Sequence, residues 1–222
     1  MFLSRVRINP NLKKLAEHLG SGVSYHSHQL LWKLFSHNEE RQFLFRKELV
    51  KRGPLAGLIE FYVQSEELPV SNGNQFILET KEYEPKLNVG DKLSFRLRVN
   101  PTIKINGKRH DVVMHAKTKL RNSDKLDKVA DFDLITQSAI EWITNEIRTQ
   151  AWGIRFDISP VVLSYQKETI FKESKKQTLS YGVVDFEGVL VVTDVEKFNS
   201  TLKNGVGRAK AFGCGLFLIK RL

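Results

Sequence analysis

An α+β fold in two consecutive domains is what the 222 residues of this sequence predict, on three observations. Over residues 1–91 the segments run strand, helix, strand, strand, a poorly defined element and strand. Over residues 92–222 that order begins again: strand, helix, two strands, helix, strand. A turn signal in LNVGD (87–91) separates the two halves. No residue-level repeat joins them, so the match rests on element order. Strand–helix–strand–strand–helix–strand is the order of a ferredoxin-like (RRM-like) sheet, and the expectation is two such domains in tandem, 1–91 and 92–222.

Each element has its own signal. FLSRVRI (2–8) alternates apolar and polar residues as a half-buried strand does, and the opening MFLSRVRINP has charges where a leader peptide would be apolar. YHSHQLLWKLFSH (25–37) follows a helical period with Leu30, Leu31, Leu34 and Phe35 as its buried stripe. FLFRKELV (43–50) and GLIEFYVQS (57–65) read as strands joined by a turn at Gly53-Pro54, SEELPVSNGNQ (65–75) as loop with room for a short helix, and FILETKEYEP (76–85) as a strand. In the second half LSFRLRVNP (93–101) is a strong strand, followed by a basic loop with an Asn106-Gly107 turn. DFDLITQSAIEWITNEIRTQ (131–150) is the clearest helix, with Ile135, Ala139, Trp142, Ile143 and Ile147 along one stripe. A strand at 154–164, a polar hairpin through 165–180, a strand at 186–192, a helix at 194–203 and a strand at 214–220 complete the series.

Charge placement narrows the function. The net charge is +10, from 35 Lys+Arg against 25 Asp+Glu. Residues 92–128 hold 11 basic and 3 acidic side chains, and residues 203–222 hold 5 basic and none acidic. The remainder is net negative, so two segments carry the whole excess, as a nucleic-acid footprint does. No apolar run approaches the roughly 18 residues of a membrane span. One cysteine, Cys214, excludes an internal disulfide and a cysteine-built zinc site, reads as a small packing residue, and fits a reducing cytoplasm.

Two segments carry candidate chemistry. In YHSHQLLWK (25–33) the helical period puts His26 and His28 near opposite margins of the apolar stripe, with Tyr25 and Lys33 on the polar side. A margin position desolvates an imidazole in part and leaves it reachable, and a helix start attracts anions. The period does not choose between the two histidines. His110 and His115 lie in the basic loop and read as RNA-contacting or bystander groups rather than catalysts, and the DFD run (131–133) reads as helix capping. No carboxylate or histidine cluster has metal-ligand spacing, so the expected mechanism uses neither metal nor cofactor. In GVGRAKAFGCG (205–215), Gly205, Gly207, Gly213 and Gly215 frame Arg208 and Lys210, which suits close backbone approach to phosphates. The run lacks a Walker ending and precedes a strand, unlike a nucleotide fingerprint.

Taken together, FLSRVRINP, Tyr25-x-x-His28 with Lys33, QFLFR (42–46), LSFRLRVNP, VDFEGVLVVTD (184–194) and GVGRAKAFGCGL (205–216) resemble the CasE-type CRISPR-associated endoribonucleases of type I-E systems, within the repeat-associated mysterious protein superfamily. The resemblance selects His28 over His26. It implies metal-independent cutting of a CRISPR precursor RNA at the base of the repeat hairpin, with the product retained in the Cascade complex. His28 would be the main acid/base residue, Tyr25 its partner at the scissile phosphate and Lys33 the electrostatic stabiliser. Attack by the 2′-OH would leave a 2′,3′-cyclic phosphate and a 5′-OH. From the charge map, Arg96, Arg98, Lys104, Lys108, Arg109, Lys117 and Lys119 are the expected backbone contacts, with Arg208 and Lys210 at the glycine loop. The family's groove-entering hairpin would here be KETIFKESKK (167–176), with Lys167, Lys172, Lys175 and Lys176. Lysine supplies point charges without the planar fork that pairs with guanine edges. The expected partners are the repeat RNA hairpin and the other Cascade subunits, with no membrane; the isolated chain is expected to be a cytoplasmic monomer. The competing readings are a non-cutting RNA-hairpin-binding subunit and a protein scaffold without RNA.

Overall fold

Alternation of side chains at the start of the chain does build a strand, β1 (Phe2–Ile8), in which Ser4, Val6 and Ile8 face inward. The coordinates are a computed structural model, and they describe residues 1–9, 24–35, 43–53, 56–71, 73–121, 130–172 and 177–222. The chain divides into two compact units, residues 1–85 with 210–216, and residues 86–209 with 217–222.

In the first unit β1 is followed by α1 (Ser24–Trp32), β2 (Phe43–Leu49), β3 (Ile59–Ser65) and β4 (Phe76–Glu82). The sheet order is β2-β3-β1-β4, antiparallel throughout, which is the ferredoxin-like order. Val6 pairs with Phe61 on one side and Leu78 on the other, and Phe45 pairs with Val63, so one face presents a continuous apolar surface. Leu30, Leu31, Leu34 and Phe35, the stripe expected from the helical period, pack on that face. The crossing from β3 to β4 contains no helix among the described residues. Instead the Val70 N–H donates to the Leu34 carbonyl at 3.0 Å, which ties the crossing to the end of α1.

In the second unit β5 (Lys92–Val99) lies between β11 (Phe217–Arg221) and β10 (Gln177–Val192), with β8 (Ile154–Arg155) and β9 (Val161–Lys172) both paired to β10. This is again the ferredoxin-like order, with the second strand split in two. Helices α3 (Ala130–Ile143) and α5 (Val195–Asn204) supply Trp142, Ile143 and Phe198 to a core that also holds Leu97, Phe186 and Phe217, and α4 (Glu146–Trp152) packs Trp152 against it.

The structure corrects four local expectations. The helix expected over 131–150 is two helices: Asn145 caps the second, its side-chain oxygen accepting the Arg148 N–H at 3.2 Å, and Ile147 is 79% exposed instead of buried. The expected basic loop is an inserted hairpin, β6 (Thr102–Ile105) and β7 (Lys108–Asp111), followed by a helix, α2 (Val112–Arg121). The strand expected at 154–164 is interrupted over 156–160, where Pro160 cannot donate to a ladder, and β10 begins well before residue 186. Residues 210–216, expected with the second domain, group with the first unit, and Cys214 and Leu216 within them are buried.

Candidate functional site

Helix α1 is rotated by its own apolar side chains. Ser27, Leu30 and Leu31 are buried, Gln29 is exposed, and His28 sits between those extremes. Trp32, one turn later, places its ring centroid 5.4 Å from the imidazole. Strand β2 supplies the rest of the wall. Phe43 and Phe45 are two positions apart and so share a face. The Phe43 ring stacks on His28 at 5.7 Å with 24° between planes, and Phe45 lies at 6.4 Å. Behind Phe43, the Phe35 ring stacks at 4.8 Å and 19°. The His28 Nε2 atom is itself shielded from solvent.

Tyr25 lies in the first turn of α1, as does His26. Lys33 falls in the turn that closes the helix: its N–H donates to the Leu30 carbonyl at 3.2 Å and its side chain is exposed. The glycine-rich segment reaches the same neighbourhood. A single 3-10 turn, Lys210–Phe212, packs against α1 and β2. Gly213 follows at φ 85°, and a Cβ there would stand 3.1 Å from the Phe45 ring. Gly205, Gly207 and Gly215 also take positive φ, at 67°, 69° and 91°, as does Ala209 at 56°. An imidazole at the edge of an aromatic wall, with a cation just beyond the helix end, can exchange a proton and offset phosphate charge. Among the described residues no group of three or more His, Cys, Asp or Glu side chains could hold a metal ion.

The expected RNA contacts separate into groups. Lys104, Lys108 and Arg109 are exposed on the β6–β7 hairpin, whose turn uses Asn106 at φ 47° and Gly107 at φ 77°. Lys117 and Lys119 follow on α2, with the Lys117 ammonium 6.0 Å from the Tyr165 ring centroid. Asp111 fastens this basic insertion: its Oδ1 accepts the Met114 N–H at 2.9 Å and caps α2, while Oδ2 accepts the Gly182 N–H of β10 at 3.1 Å. The rings of His110 and His115 lie 6.0 Å apart on the same insertion.

Arg96 and Arg98 share one face of β5 and differ in surroundings. Arg96 is exposed, with Nε 3.6 Å from Glu187. Arg98 forks onto Asp185 at 3.0 and 2.7 Å, and Asp185 also accepts the Ser164 hydroxyl at 3.0 Å. Lys167 is exposed on β9, Lys172 ends that strand, and Lys175 and Lys176 lie outside the described residues. Arg208 is exposed and bridges Asn100, while Lys210 opens the 3-10 turn. Phe43 and Phe45 are the residues that sequence reasoning passed over as site components. Their F-x-F spacing on a strand facing α1 was the available signal.

A family model described as CRISPR associated protein matches residues 1–221. The chain is similar to the CRISPR system Cascade subunit CasE of Escherichia coli strain K12, with 33% identity over 206 residues, 89% of this chain and 92% of the relative. It is similar also to the CRISPR-associated endoribonuclease Cse3 of Thermus thermophilus, with 26% identity over 225 residues and 99% of each chain. A solved structure of Thermus thermophilus Cse3 bound to an RNA representing a pre-cleavage complex superposes with a TM-score of 0.70, at 25% identity, covering 99% of this chain and 98% of that one.

Proposed function

The chain belongs to the family of CRISPR-associated proteins, in its CasE-type branch, and from that premise we propose that it is an endoribonuclease that processes CRISPR RNA and serves as a subunit of Cascade. Its substrate is the repeat hairpin of the precursor transcript, cut at the base of the stem without a metal ion, and the product stays bound.

The residue types at α1 suit that reaction. RNA brings its own nucleophile: the ribose 2′-oxygen attacks the adjacent phosphorus, its proton passes to a base, and the departing 5′-oxygen receives a proton from an acid. His28 and Tyr25 share those two roles, and Lys33 offsets charge on the phosphorane. The bond to the 5′-oxygen breaks, leaving a 2′,3′-cyclic phosphate and a 5′-OH. A positioned acid or base contributes about 10²–10⁴-fold. The observation that carries this reading is the half-buried His28 at the aromatic wall of α1 and β2, with the exposed Lys33 just past the helix end.

An A-form stem hides its bases in a deep groove, so recognition rests on backbone shape and phosphates. The exposed cations of the β6–β7 hairpin and α2, with Arg96, Lys167, Arg208 and Lys210, are the proposed phosphate contacts. Arg98 would have to leave Asp185 to join them. Among the described residues no helix is long and apolar enough to cross a membrane, and a single, buried cysteine, Cys214, fits the cytoplasm as the proposed location.

Incubation of the full chain with repeat hairpin RNA in EDTA is expected to give a cyclic-phosphate product. His28→Ala should remove most cleavage, by about 10²-fold or more, while affinity for the hairpin stays close to wild type. A strict magnesium requirement, or parallel loss of binding in that variant, would overturn the assignment. Intact RNA after long incubation with excess wild-type protein would favour a hairpin-binding subunit that does not cut.

A further inference from the structure

We propose that Phe43, backed by Phe35 and braced through Phe45 by Gly213, is the positioning platform for the His28 imidazole. The inference rests on the reading of His28 as the reacting group. Three rings lie in a row, Phe35 on Phe43 at 4.8 Å and Phe43 on His28 at 5.7 Å, each pair within 24° of parallel. Trp32 stands tilted against the imidazole at 5.4 Å. A histidine on a helix margin would otherwise sample several side-chain rotamers. With one face on Phe43 and an edge against Trp32, the ring plane is set before RNA arrives, which is the condition for an effective proton transfer.

The platform has a brace from the far end of the chain. Phe43 and Phe45 lie 6.2 Å apart, and Phe45 meets the Gly213 backbone. A side chain at 213 would press 3.1 Å onto the Phe45 ring and would need the left-handed φ of 85°, so glycine suits this position on both counts. Cys214 and Leu216, both buried, hold the segment in place. On this reading the glycine-rich run has a second task besides meeting phosphate: it keeps the catalytic imidazole aligned.

The test separates positioning from binding. Phe43→Leu keeps an apolar side chain in β2 and removes the ring face. Its single-turnover cleavage rate is expected to fall about 10- to 100-fold with repeat-hairpin Kd within about twofold of wild type. Gly213→Ala should lower the single-turnover rate likewise. In wild type the His28 ring protons, assigned by their loss in His28→Gln, should be shifted upfield by the Phe43 ring current, and that shift should vanish in Phe43→Leu. A folded Phe43→Leu that cuts at the wild-type rate overturns the proposal, as does a fall in rate matched by an equal fall in affinity. Should Phe43→Leu not fold, the wild-type spectrum decides, since ring protons at the position of an exposed imidazole exclude the stack. Cleavage that survives His28→Ala would sink the catalytic reading, whereas cleavage lost there but unchanged in Phe43→Leu sinks the positioning alone.

Discussion

Burial decides how Tyr83 titrates. Its phenolate is disfavoured away from water, and the pKa is pushed up to about 12. In the unfolded chain the same phenol ionises near about 10. The folded value is the higher one, so this contribution to stability is complete below about pH 10 and is lost as pH rises through about 12. Denaturant midpoints of wild type should therefore fall more steeply over that window than those of Tyr83→Phe; equal slopes would show that the phenol does not matter. The same question of surroundings divides two arginines that the sequence presents alike. LSFRLRV gives Arg96 and Arg98 the same alternation, and counting charge treats them as equal. Only the fold brings Asp185, 87 residues further on, into a fork with Arg98. His28 shows the same limit from the other side. Helical spacing put it on the margin of α1, where it is, but the rings that contact it from β2 are set by strand register and lie beyond any helical pattern.

Elements reveal where local signals compete. Over 131–150 an apolar stripe continues through Ile147, and periodicity reads one helix. The chain breaks at Thr144 because Asn145 offers its side chain to the Arg148 N–H, and the second helix leaves Ile147 in water. That helix ends at Gly153, whose φ is 72° and whose N–H closes onto the Thr149 and Gln150 carbonyls. A Cβ at 153 would lie 2.4 Å from the Asp194 carbonyl and 2.8 Å from the Phe198 nitrogen, both backbone atoms at the start of α5. Gly153→Ala is accordingly expected to cost roughly 2–4 kcal/mol, through strain at positive φ and displacement of α5. A thermal scan should show a Tm lower by roughly 5–15 °C, and an unchanged Tm would contradict the close approach. Helix α2 was hidden for a different reason. Its cations drew it into the charge map as a loop, although Asp111 before VVMHAKTKL is a capping signal and Val112, Ala116 and Leu120 recur at helical spacing.

For the whole molecule the relevant quantity is how cations are shared between internal pairs and a ligand. Neutralising phosphates releases counterions, so affinity for the hairpin should fall with salt along a log–log slope of about −5 to −7 if six to eight phosphates of the duplex stem are met. Lys104→Ala with Arg109→Ala, a cross-strand pair at the hairpin, should flatten the slope by about 2. A slope near zero in wild type, measured by fluorescence anisotropy across a salt series, would remove RNA from the account. By itself the sequence determined the main strands of the two sheets, the two basic segments and the family, because alternation, charge and motif are written in neighbouring residues. Tertiary structure decided that Lys210–Leu216 packs on α1 and β2, that Phe35 and Phe43 stack under His28, and that Asp185 holds Arg98. Those pairings join distant parts of the chain through close packing of particular side chains, and no local pattern encodes which distant partner will fit.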